Sequence, residues 1–140
     1  MFRLLVAGGR GFYNYRLLDS TLTNWLERYT DTKGSLKDGS EGANGTPPPD
    51  KDITLVHGDS NGADKLAAMW AFYNDLEVEP HPANWKRHGV GAGPIRNLEM
   101  ALSGIDFAIL FPGGVGTDNM RKILVNNGIN FEEVVYTTTT

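Results

Sequence analysis

Three times in this chain a short, nearly continuous apolar run stops at glycine and gives way to a helical pattern. Phe2-Arg3-Leu4-Leu5-Val6-Ala7 runs into Gly8-Gly9-Arg10-Gly11, and Ile53-Thr54-Leu55-Val56-His57 into Gly58-Asp59-Ser60-Asn61-Gly62-Ala63-Asp64. Phe107-Ala108-Ile109-Leu110-Phe111 runs into Pro112-Gly113-Gly114-Val115-Gly116-Thr117. Apolar runs without alternation are the pattern of parallel strands covered on both faces. Leu76-Glu77-Val78-Glu79-Pro80 adds a short strand placed near an edge by its proline, and Ile129 to Tyr136 a last one. Strand and helix signals thus alternate along the chain, and the fold class they predict is α/β: one three-layer domain with a mainly parallel sheet of about five strands.

Composition sets the outer limits. A chain of 140 residues, 40% hydrophobic and 21% charged, is one domain able to bury a core. We expect that domain to span residues 1–136, with a flexible insertion at about 31–52, where Gly, Ser, Asp, Lys, Asn and Pro replace apolar residues, and a frayed tail at 137–140. The absence of cysteine excludes disulfides, thiol catalysis and the usual structural zinc sites. His57, His81 and His88 show no helical ligand spacing, so no metal site is expected. A net charge of −4 argues against nucleic acid as the partner. No apolar run approaches the roughly 20 residues of a membrane span, and Met1-Phe2-Arg3 leads into a strand and not a signal peptide; no membrane contact and a cytoplasmic location are the expectations.

The helices follow from period. Leu18, Leu22, Trp25, Leu26 and Tyr29 mark a first amphipathic helix with Asp19 as its N-cap. Ala63, Leu66, Ala67, Trp70 and Asn74 form the buried face of a second. His81 to Gly93 reads as a loop, after which Pro94 opens a helix with Ile95, Leu98 and Leu102 turned inward and Arg96 and Met100 sharing a face. Thr117 is expected to cap a last helix carrying Met120, Ile123 and Leu124, ended by Gly128.

In a doubly wound sheet, ligands bind beyond the carboxyl ends of the strands, where the strand order reverses. Gly8 to Gly11, Gly58 to Asp64, Trp85 to Arg96 and Pro112 to Thr117 should therefore surround one cleft. Glycine turns ahead of helices suit an anion, because no Cβ shields the N–H groups and the helix presents its positive dipole end. A phosphate is expected on Pro112, Gly113, Gly114, Gly116 and Thr117, with Gly8, Gly9 and Arg10 beside it. Gly58 and Ser60 form a second candidate cradle, complicated by the carboxylates Asp59 and Asp64, which suit ribose hydroxyls better than phosphate. Trp85 is the aromatic expected to stack on a base. Arg96 lies in the first turn of its helix, where the dipole disfavours a cation unless an anion is near; Asn97 follows it. The turn Gly9-x-Gly11 lacks the third glycine of the hydride-transfer dinucleotide fingerprint.

These stretches together resemble the YspA-like branch of the SLOG superfamily: Gly8-Gly9-Arg10-Gly11-Phe12, His57 to Asp64, Pro82-Ala83-Asn84-Trp85, His88-Gly89, Ala92-Gly93-Pro94-Ile95-Arg96-Asn97-x-x-Met100 and the Pro-Gly-Gly-x-Gly-Thr turn. The resemblance implies a Rossmann-like fold, a nucleotide or nucleotide-derived ligand such as a nucleoside phosphate, ADP-ribose or a cyclic relative, no cofactor, and a homo-oligomer, for which Met69 and Tyr73 offer apolar surface. LOG-type relatives hydrolyse the N-glycosidic bond of nucleoside monophosphates with an arginine, which Arg96 resembles, and a glutamate, whose place Met120 takes here. Under that alternative Asp59, Asp64 or Asp118 would supply the carboxylate. A third reading, a single-stranded DNA module like the DNA-processing proteins of the superfamily, fits the acidic balance poorly.

Overall fold

The computed structural model describes residues 1–32 and 52–135. The expected insertion therefore falls largely, and the expected tail entirely, outside the described residues. In chain order the elements are β1 (Phe2–Ala7), α1 (Tyr15–Thr32), β2 (Ile53–His57), α2 (Ala63–Tyr73), β3 (Glu77–Pro80), α3 (Trp85–His88), α4 (Ala92–Ala101), β4 (Phe107–Leu110), α5 (Val115–Asn126) and β5 (Phe131–Glu133). All strands are parallel in the order β3-β2-β1-β4-β5. The fold is the α/β, Rossmann-like one that the sequence predicts.

The two faces of the sheet are built by alternation. Leu4, Val6, Leu55 and Ile109 point to one side, where they bury Leu18, Leu22 and Trp25 of α1 and Ala67 and Trp70 of α2. Leu5, Ala7, Val56, Ala108 and Leu110 point to the other, against Met100 of α4 and Met120 and Leu124 of α5. The chain first moves outward from β1 through β2 to β3, then recrosses to the far side of β1, so right-handed connections put the second pair of helices on the opposite face. The turns after β1 and β4 consequently diverge from adjacent strands, which opens the cleft.

Several local expectations are corrected. Helix α1 starts five residues earlier than a cap at Asp19 would place it: Asn14 Oδ1 accepts from Leu17 N at 3.1 Å, so Asn14 is the cap and Asp19 lies inside the helix, accepting from Thr23 Oγ1 at 3.0 Å. The side chain of Tyr29 lies outside the described residues. On α2 the buried face includes Asp64 and Ala71, whereas Leu66 is half-buried and Asn74 follows the helix as its C-cap. The segment expected as a loop before Pro94 is mostly helical, with α3 capped by Asn84 and joined to α4 by a 3₁₀ turn at Gly89–Gly91. Strands β3 and β5 are shorter than their apolar patterns.

The largest correction is the rotation of α4. Ile95, Leu98 and Leu102 are exposed, and Ala92, Asn97, Met100 and Ala101 are buried instead. Asn97 decides this: its Nδ2 donates to Gly116 O at 3.2 Å and to Asn119 Oδ1 at 2.9 Å, tying α4 to α5. A satisfied buried amide fixes the helix in an orientation that an apolar count does not reveal.

Two helices end in the same Schellman arrangement with different residues at the left-handed position. After α5, Gly128 takes φ 66°, with Ile129 N bonded to Leu124 O at 3.0 Å. After α2 that position is Asp75, at φ 58°, with Leu76 N bonded to Ala71 O at 2.9 Å. A side chain is strained there and glycine is not. Asp75→Gly is expected to raise unfolding free energy by about 1 kcal/mol, read as a shift in denaturant midpoint at unchanged slope.

Candidate functional site

Three glycine turns meet back to back at the carboxyl end of the sheet. Gly9 N donates to Pro112 O at 2.9 Å, and Ala63 N to Gly9 O at 3.2 Å. A Cβ on Gly9 would stand 2.9 Å from Gly113 Cα, and one on Gly113 would stand 2.6 Å from Gly9 N. Gly62, at φ 80°, presses equally closely on the backbone of Gly9 and Arg10. Main chain packs on main chain here, and any side chain would force the turns apart. Gly114 and Gly116 differ: nothing lies within 4 Å of where their Cβ atoms would be. They open onto a cleft of about 410 Å³.

The cleft brings together most of the residues singled out from sequence. Gly8, Gly9 and Arg10 line one side, Ser60 and Asp64 the floor near β2, Trp85, Arg96 and Asn97 the α3–α4 side, and Gly114, Gly116 and Thr117 the start of α5. Pro112 and Gly113 do not line it; they line a depression beside it, with Gly11, Phe12 and, shared with the cleft, Gly9, Arg10 and Gly114. Gly58 and Asp59 line an adjoining polar cavity. Asp118 lines neither: it is exposed and paired with Arg121 at 2.6 Å. Met120, at the position of the LOG-type glutamate, is fully buried under α5. Thr117 is not the cap of α5; Gly114 is, and Thr117 stands inside the first turn. It is 4% exposed, lines the cleft, and its hydroxyl has no hydrogen-bond partner among the described residues.

Two cations face the cleft without a carboxylate. Arg96 donates through Nη1 to Gly58 O and through Nε to Asn97 Oδ1, the latter at 3.0 Å. It forms no ion pair among the described residues, and burial holds its pKa below the usual arginine value. Gly58 is the reason that the guanidinium fits, because a Cβ at that position would overlap it. The Arg10 guanidinium rests over the Trp85 ring, 5.0 Å from its centroid, and has no ion pair or hydrogen bond of its own among the described residues. Trp85, 46% exposed, therefore carries a cation on one face where a base was expected.

The turn after β2 corrects the expectation of a second open cradle. Gly58 N and Ser60 N both donate to Asp64 Oδ2, at 3.1 and 3.2 Å, so the chain's own carboxylate fills the place an anion would take. Asp64 is 5% exposed, and burial pushes its pKa up to about 6 against those hydrogen bonds and the nearby Arg96. Behind it, buried His57 accepts at Nδ1 from Asp59 N at 2.9 Å, and burial lowers its pKa. Asp59 takes φ 57° and pairs with Lys65 at 2.6 Å, which lowers its pKa.

Sequence reasoning missed Ala7, Met100 and Asn119 as cleft residues, which lie outside the four stretches it placed there. The one available signal was Asn119, three residues beyond Gly116 and so on the same helical face.

Asp64 yields a pH prediction. An unfolded carboxyl titrates near about 4, whereas the buried one titrates at about 6. Its contribution to stability is complete below the lower value and is lost as pH rises through the higher. Between pH 4 and pH 8, the stability of Asp64→Asn relative to the parent should shift in the variant's favour by on the order of 2–3 kcal/mol. Parallel pH–stability curves for the two proteins would contradict this.

The comparisons with known proteins agree with this architecture. The family model of the YspA, cpYpsA-related SLOG family matches residues 46–88, the stretch that holds β2, the Asp64 turn, α2, β3 and α3. The chain is 38% identical over 84 residues to the Gene 61 protein of Mycobacterium phage D29, an alignment covering 55% of this chain and 67% of that protein. No solved structure matches the chain. On the strength of the turn sequences, the fold and these matches, the chain belongs to the YspA-like branch of the SLOG superfamily.

Proposed function

We propose that the domain spanning residues 1–136 binds a nucleotide or nucleotide-derived ligand in this cleft and acts as a sensor or sequestering module. One observation carries the reading: two guanidiniums without carboxylate partners, Arg10 and Arg96, face the same space as the open glycines Gly114 and Gly116 at the start of α5. Anionic oxygens there would accept from Val115, Gly116 and Thr117 N–H groups and from the Thr117 hydroxyl, while the guanidiniums neutralise charge. Val90, Met100, Val115 and Trp85 supply the apolar walls that a base needs. Membership of the SLOG family is compatible with such a ligand.

A second reading, N-glycosidic hydrolysis of a nucleoside phosphate, is favoured by one feature. Asp64 is the carboxylate that lines the main cleft, and a group titrating near 6 can exchange a proton at neutral pH. Asp59 borders only the adjoining cavity, and Asp118 borders neither. Nothing in the geometry favours the single-stranded DNA reading. No helix among the described residues is long and apolar enough to cross a membrane, in keeping with a proposed cytoplasmic setting. The exposed Met69, Phe72 and Tyr73 leave an apolar face for the proposed self-association.

The test is calorimetric titration with a nucleotide panel, with products analysed afterwards. Arg96→Ala should weaken binding by at least about tenfold, the loss of a charge-assisted contact. Gly116→Ala should weaken it too while stabilising α5 by roughly 0.5–1 kcal/mol, since alanine is the better helix former. A ligand recovered intact supports the binding module. Free base released by the parent and not by Asp64→Asn supports the enzyme. Absence of binding across the panel would sink both.

A further inference from the structure

The main cleft has a neighbour. A second cavity of about 310 Å³ lies on the β2 side and shares four lining residues with the first: Arg10, Ser60, Trp85 and Arg96. The two adjoin along the Arg10–Trp85 stack and the Arg96 guanidinium, which border both like a neck. Their chemistry differs. The main lobe is walled by Ala7, Val90, Met100 and Val115, whereas the second presents Asp59, Ser60 and Asn61 with Pro82 and Ala83 behind them. Asp59 is held at φ 57°, a conformation uncommon for a residue with a side chain, with its carboxylate on the rim beside Lys65.

Anion-favouring points also come in two. One is the start of α5, with Gly114, Gly116 and Thr117 on the cleft; the other is the guanidinium pair at the neck, where the two cations repel each other and each lowers the cost of bringing in negative charge. Two linked phosphates would satisfy both. The group beyond them would enter a lobe lined by a carboxylate, a hydroxyl and an amide, which is the donor and acceptor set for vicinal hydroxyls.

We infer that the ligand is two-ended: a nucleoside diphosphate carrying a sugar, with its base in the apolar lobe, its diphosphate between α5 and the neck, and its terminal sugar in the lobe formed by Asp59, Ser60 and Asn61. This rests on the nucleotide-binding reading above and goes beyond it by assigning the second lobe and excluding a mononucleotide as the best ligand.

Matched pairs test it: AMP with ADP-ribose, GMP with GDP-mannose and UMP with UDP-glucose, each titrated calorimetrically into the full chain. For at least one pair the diphosphate sugar should bind about tenfold tighter or better. Ala83→Phe, which fills the second lobe, should erase that preference and leave the affinity for the monophosphate unchanged. Asn61→Ala, which removes one hydrogen-bonding group without adding bulk, should reduce it and serves if Ala83→Phe fails to fold. Equal affinity within every pair overturns the two-ended ligand and leaves the nucleotide reading standing. A preference that survives both variants overturns the assignment of the sugar to this lobe. No binding of any probe overturns the nucleotide reading itself.

Discussion

The contact of bare main chain against main chain at Gly9, Gly62 and Gly113 is what the rest of the site depends on. Because the turns after β1, β2 and β4 touch main chain to main chain, groups from all three strand ends line one cleft. The same closeness fixes the Arg10 backbone against Gly62 and thereby the place from which its guanidinium reaches Trp85. Widening any of these contacts by a methyl group would move several ligand-facing groups at once.

Around that junction the glycines divide by what they face. Gly9, Gly58, Gly62 and Gly113 make room for protein atoms, and in the case of Gly58 for the Arg96 guanidinium. Gly114 and Gly116 face open space on the cleft. Sequence alone could not draw this division, since all stand in similar Gly-rich stretches. It emerges only when the turns are brought together, and it is what directs the proposed anion site to the start of α5.

Much of the fold was legible in the sequence for a simple reason. Strands β1, β2 and β4 are buried on both faces, so unbroken apolar runs announce them, and β2 begins and ends where its run does. The gathering of the four cleft-forming stretches followed from the same pattern, because parallel strands bring all their carboxyl ends to one rim. What stayed hidden were matters settled by polar contacts between distant segments. Asn97 turned α4 against its apolar period by bonding to α5, and Asn14 outcompeted Asp19 because a cap is defined by which backbone N–H groups lack a partner. The filling of the β2 turn by Asp64 was equally invisible, since Asp in a helical first turn reads as a dipole partner whether or not it folds back.

That last feature bears on how such a domain diversifies. On the proposed reading the junction holds two turns of a kind that suits an anion, and one of them is filled by the domain's own carboxylate. Ancestors or descendants with a small uncharged residue in place of Asp64 would present two open cradles across the same floor. A single replacement thus separates a receptor that reads one end of an anionic ligand through backbone amides from one that grips both, without any change in topology. If the proposed ligand reading holds, ligand repertoire changes here by opening a turn that already exists and not by building a new loop.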